Sequence, residues 1–171
     1  MSSNFDRADF RVRYRRKSPD VIQLRWPVAP GIVLRLGDSV TADRDGHGRP
    51  HRGIDIFAPA LSPVVSASEG QVARVVDGRG ARLESLRRAG LFVDVVGPHG
   101  MTFRYLHLGS ASVARGQRIE PGAAIGVIAL PHTSGLGSEP HLHFEVRKWD
   151  VRRGTYGPEL DPLRILPPLR V

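Results

Sequence analysis

PHLHFEVR, residues 140–147, alternates polar and apolar side chains with a period of two. Successive side chains of a β-strand point to opposite faces. His141, His143 and Glu145 therefore share one face, while Leu142, Phe144 and Val146 share the other and turn inward. Two imidazoles about 7 Å apart point the same way, an arrangement suited to binding a metal or handling protons.

Outward from this strand, the chain reads as mostly β. Fourteen prolines and nineteen glycines cut its 171 residues into apolar runs too short for a helical bundle. GIVLRLG (31–37), GIDIFA (53–58), PVVSA (63–67), QVARVV (71–76), LFVDVV (91–96) and MTFRYLHL (101–108) join HLHFEVR (141–147) as strand candidates. GPHG at 97–100 predicts a hairpin between the fifth and sixth of the six runs just quoted. Only ARLESLRRA, 81–89, has helical composition, and it interrupts two strands as an inserted excursion. The Gly-rich polar stretches 37–50 and 130–140 read as loops bordering a binding groove.

Composition narrows the chemistry. With no cysteine, disulfide frameworks, thiolate metal sites and cysteine nucleophiles are excluded, so any metal must be held by His, Asp or Glu. No run approaches the about 20 apolar residues of a membrane-spanning helix, and the N-terminus has no apolar signal-peptide core. The net charge of +8 invites an anionic partner, yet all basic residues except Lys17 and Lys148 are arginines scattered from Arg7 to Arg170. Their one cluster, Arg7 to Lys17, reads as a basic arm spanning residues 1–25, ahead of a single domain at 26–171. Without a recognition-helix pattern or interleaved aromatics, no nucleic-acid partner is expected.

Two further histidine segments complete the pattern. In HRGID, His51 and Asp55 are four apart and share a face if the segment is extended, with Gly53 leaving an open gap between them. Imidazole and carboxylate are both zinc ligands, and one more histidine makes three protein ligands with a fourth position left for water. In FRYLHL, alternation puts Phe103, Tyr105 and His107 on one face, so His107 sits among aromatic rings. Spacing alone leaves open which histidine of HLH takes the metal. His47, His99 and His132 fall in loops and read as surface residues, with His132 the one whose loop approaches the groove.

The ordered set HRGIDI, SASEGQVARVV, YLHL, RIEPGAAIG, PHLHFEVR and DPLRIL resembles the lysostaphin-type, or LytM-like, zinc metallo-endopeptidases that cut peptidoglycan peptides. The resemblance spans about Trp26 to Leu166. It implies a mainly β, antiparallel fold of the duplicated hybrid motif type, with a central sheet flooring a groove. It further implies one zinc per chain on His51, Asp55 and His143, with His107 and His141 as the catalytic pair. The implied substrate is peptidoglycan peptide in the bacterial cell envelope. The expected chain is a monomer, delivered without a signal peptide or carried on a phage or injection assembly.

Departures from the family pattern lie on loops. ALPHTSGLGSEP, 129–140, is longer than the usual small-residue turn before the HxH strand; Ala60–Pro63 replaces another such turn, and the 77–90 excursion exceeds a minimal version. These changes predict altered substrate preference rather than lost chemistry. The alternatives are a catalytically idle LytM-like module that binds or regulates wall hydrolases, a cupin-like metal protein and a basic nucleic-acid binder. All five site positions are filled, which favours the enzyme over the idle module. A cupin's glutamate follows its HxH by more than the single Phe144 found here.

Overall fold

The computed structural model describes residues 24–40, 50–135, 137–150 and 155–169. The basic arm, apart from residues 24 and 25, and most of the 37–50 loop including His47 lie outside the described residues. Among the described residues, ten strands form one connected sheet: β1 (Arg35–Leu36), β2 (Ile54–Phe57), β3 (Pro63–Val65), β4 (Gly70–Asp77), β5 (Leu91–Val96), β6 (Met101–Ala111), β7 (Arg118–Ile119), β8 (Ala124–Ile128), β9 (His141–Asp150) and β10 (Thr155–Leu160). The main path runs β1-β2-β9-β6-β5-β4-β7, with β10 on β9 and with β8 joining β3 to β6. All of these pairings are antiparallel, as the sequence pattern predicts. The single α-helix among the described residues, α1 (Glu84–Ala89), sits within the predicted 81–89 excursion.

β9 is central because its apolar side chains can be buried only if strands flank it on both edges. β2 pairs one edge, with Ile54 opposite Phe144 and Ile56 opposite Leu142. β6 pairs the other, with Tyr105 opposite Phe144 and Phe103 opposite Val146. These side chains merge with Val93, Val95, Ile125 and Ile128 into one buried cluster. Phe103 stacks on Phe144 at 6.4 Å between ring centroids. The Tyr105 hydroxyl accepts a hydrogen bond from the Ala67 amide at 2.8 Å, while burial raises its pKa to about 12.

Three strands escaped the sequence reading. β8 contains Gly126, which reads as a breaker, yet a side chain there would meet the Ser110 carbonyl oxygen at 2.0 Å. Glycine is what lets β6 and β8 approach. β10 holds Gly157 and Pro158 and tolerates them through a register shift between Tyr156 and Glu159. β7 is two residues long, too short to give a period. Conversely, the 31–37 run is a strand only at Arg35–Leu36.

Candidate metal centre

The antiparallel register, not sequence proximity, assembles the site. Asp55 on β2 lies directly opposite His143 on β9, and directly opposed residues share a face. His51 precedes β2 and folds back beside this pair. Gly53 does not leave an open gap as expected: a side chain there would strike the Phe144 carbonyl oxygen at 2.2 Å. Its role is to let the His51–Asp55 segment close onto β9.

Three donor atoms converge. His143 Nδ1 lies 2.8 Å from Asp55 Oδ1, His51 Nε2 lies 2.9 Å from His143 Nδ1, and His51 Nε2 lies 3.3 Å from Asp55 Oδ1. All three residues are buried. The opposite nitrogen of each imidazole faces an oxygen. His51 Nδ1 faces the Ser39 carbonyl at 2.9 Å, and His143 Nε2 faces Glu145 Oε1 at 3.2 Å. The Ser39 carbonyl only accepts, so the His51 proton belongs on Nδ1 and its Nε2 lone pair faces inward, whereas His143 lies between two carboxylates, and its Nδ1 offers a lone pair to the centre when the proton sits on Nε2 toward Glu145. Two imidazole nitrogens and a carboxylate oxygen therefore converge on one point.

Such a cluster calls for a cation. Four-coordinate zinc with bonds of about 2.0–2.1 Å places its ligands about 3.3 Å apart, close to the observed spacings. Imidazole, imidazole and carboxylate are a donor set that zinc accepts, and three such groups form the one candidate metal cluster among the described residues. The residues present fit the metal that the sequence resemblance implies.

His141 and His107 sit beside this cluster. His141 Nδ1 donates to the Glu139 carbonyl at 2.8 Å, leaving Nε2 directed inward, 3.8 Å from Asp55 Oδ1. The His107 ring lies 4.8 Å from that of His141 and 5.8 Å from that of His143, measured between centroids. This overturns the expectation that His107 shares a face with Phe103 and Tyr105, both of which point into the core. The pairing of β5 with β6 shifts register between Leu91 and Val93, and His107 has φ of 63°. This β-bulge inserts one residue, so Leu106 and His107 both face away from the core before Leu108 returns to it. A non-glycine residue in left-handed backbone is strained, and here the strain aims an imidazole at the site.

Both polar loops touch the centre. From 37–50, Ser39 orients His51. From 130–140, Glu139 orients His141, and glycines lie against two rings: a side chain at Gly135 would meet His107 Nδ1 at 2.1 Å, and one at Gly137 would meet His141 Cε1 at 2.5 Å. The Ser134 hydroxyl anchors this loop by accepting from the Leu91 amide at 2.9 Å. The lengthened loop thus keeps small residues where the histidines need room.

The sequence reading missed a charged ladder on the same face. Arg74, Asp94, Arg104 and Glu145 lie opposite one another on β4, β5, β6 and β9, with alternating sign. Arg104 bridges Asp94 at 2.9 Å and Glu145 at 3.0 Å, and Arg147 Nε donates to Glu145 at 2.7 Å. Tyr156 donates to Asp94, and its ring lies 4.9–5.4 Å from the guanidinium carbons of Arg74, Arg104 and Arg147. Burial pushes the Glu145 pKa upward, but the hydrogen bond from His143 and the charges of Arg104 and Arg147 outweigh it and hold the carboxyl at about 2. A signal was present: Asp94 interrupts the apolar run LFVDVV, and an isolated charge in a buried strand requires a partner.

The fold and site together define an antiparallel β-sheet protein with a buried His-Asp-His cluster that could hold a metal ion. Residues 49–162 match the model of peptidase family M23, and the chain belongs to that family. Its curated relatives include the peptidoglycan DD-endopeptidase ShyA of Vibrio cholerae, 33% identical over 57% of this chain and 20% of its own length. The chain spans about a fifth of the length of such relatives. Among solved structures, a zinc-containing peptidase from Vibrio cholerae superposes with a TM-score of 0.66 and 25% identity, covering 86% of this chain and 41% of that one. The catalytic domain of lysostaphin from Staphylococcus simulans gives 0.63 and 21%, covering 77% and 90%, a likeness of fold.

Proposed function

We propose that the chain is a zinc-dependent endopeptidase that hydrolyses peptide bonds in bacterial peptidoglycan, acting in the cell envelope as a monomer with one metal. The observation that carries this reading is the convergence of His51 Nε2, Asp55 Oδ1 and His143 Nδ1 beside two further imidazoles. Membership of a peptidase family and relatives named as peptidoglycan DD-endopeptidases support the substrate class.

In this reading His51 Nε2, Asp55 Oδ1 and His143 Nδ1 hold the metal. Zinc held there supplies a Lewis acid that brings a water's pKa toward about 7 and polarises a peptide carbonyl. His141 is tautomerically set by the Glu139 carbonyl, so its Nε2 can take a proton from the attacking water and return it to the departing amine. His107, aimed from the bulge, supplies an N–H to the developing oxyanion. The Glu145 carboxylate holds His143 in the tautomer that ligates.

The test is digestion of purified sacculi of differing cross-link chemistry by zinc-loaded protein, with products identified by mass spectrometry. Release of uncrosslinked peptides with new termini at one defined bond is expected. Intact sacculi after incubation with fully zinc-loaded protein would assign the chain to the idle class.

A further inference from the structure

The 77–90 excursion and the 130–140 loop border an open cleft of about 290 Å³ beside the catalytic candidates, lined by Arg79, Glu84, Arg87, Arg88, His132 and Gly135, with Arg87 exposed at its surface. α1 turns Leu86 and Ala89 toward Phe92 and Leu106, which leaves its arginines on the outer side. Two cations are already matched: Arg79 forks onto Asp77 at 2.5 and 2.8 Å, and Arg88 meets Glu84 at 2.9 Å. Arg87 forms no ion pair with any described residue. Three guanidinium groups against two carboxylates leave the cleft one positive charge in excess.

Its position is informative. Gly135 lines the cleft and also lies against the His107 ring, so the two share a wall one residue thick. An extended peptide advances about 3.3 Å per residue, so a chain crossing His107 reaches the cleft within two or three residues. We infer that this cleft is a subsite for a carboxylate of the substrate peptide, with Arg87 as the guanidinium that receives it. A planar guanidinium matches a carboxylate in a two-point hydrogen-bonded pair, which favours this anion over an apolar side chain. The inference rests on the peptidase reading for its substrate and gives the inserted excursion a function in specificity.

The test is calorimetric binding to the zinc-loaded full chain of an uncrosslinked stem peptide, which has no cross-link to cleave, and of its carboxamide counterpart. Wild type is expected to bind the acid form about tenfold more tightly than the amide. Arg87→Glu should abolish that preference and Arg87→Gln should reduce it, both at unchanged zinc content. An equal affinity of wild type for acid and amide would overturn the subsite, as would a preference that survives Arg87→Glu. Displacement of the peptide by inorganic phosphate but not by acetate would overturn the carboxylate assignment. The comparison reads binding alone, so failure of wild type to digest sacculi would remove the peptidase reading while leaving the acid–amide preference measurable.

Discussion

The face of β9 that carries His141, His143 and Glu145 has two ends made of similar side chains in opposite electrostatic states. At residues 145–147, carboxylates meet guanidinium groups: Glu145 is enclosed by Arg104 and Arg147, and Asp94 by Arg74, Arg104 and Tyr156. At 141–143, two imidazole nitrogens and a carboxylate oxygen converge within 3.3 Å of one another, with the His51 proton turned outward. The first end finds its partners within the chain; the second fits a cation. Burial alone therefore does not distinguish structure from function on this face. What distinguishes them is whether the acceptors are matched by donors of the same chain.

The strongest way to break the comparison is to remove a donor at the open end. His51→Ala, Asp55→Ala and His143→Ala should each lose most of the bound zinc and all measurable hydrolysis, read by elemental mass spectrometry and sacculus digestion, because three ligands is the minimum for such a centre. Full zinc occupancy in Asp55→Ala would refute the ligand assignment. Next in size, His107→Ala and His141→Ala should keep near-normal zinc and lose hydrolysis by about 10²-fold or more. Their double variant should lose less than the product of the two, since both rings serve one step. Zinc loss in His141→Ala with retention in His143→Ala would exchange the two roles.

Smaller effects should separate the two ends. Asp94→Asn leaves buried guanidinium groups short of a partner and should destabilise the fold by about 3–5 kcal/mol in denaturant titrations, with zinc affinity nearly unchanged. Glu145→Gln touches both ends: it should destabilise the fold and also weaken zinc about tenfold or more in chelator competition, because it loosens His143. Equal zinc affinities for these two variants would show that the ladder does not reach the metal.

The smallest effect is on pH. The Glu145 carboxyl is held at about 2 against an ordinary value of 4.5, so its stabilisation is complete above about pH 4.5 and is lost as pH falls toward 2. Thermal melts of wild type should fall through that window, and those of Glu145→Gln should fall less.

Much of this architecture was legible in short stretches. The alternation in HLHFEV put two imidazoles on one face, and β-branched runs between glycines and prolines marked the strands that carry the core. GPHG marked the hairpin between β5 and β6, although His99 there takes a positive φ of 55°. Alternation failed at His107, because a bulge shifts parity by one residue and leaves no trace in residue type. Gly126, Gly157 and Pro158 concealed strands because a close approach and a register shift look like breaks when only one chain segment is seen.

Sequence by itself determined the donor types, the absence of thiolates, the antiparallel β class and the family, since each depends on residue identity or on a period of two. Tertiary structure decided which nitrogen of each imidazole faces inward, which face His107 occupies and which buried charges are matched. Ser39 and Glu139 orient histidines through backbone carbonyls, which every residue possesses, so no choice of side chain records that contact. Arg74, Asp94, Arg104 and Glu145 are brought together by register across four strands, and register is a property of the folded sheet.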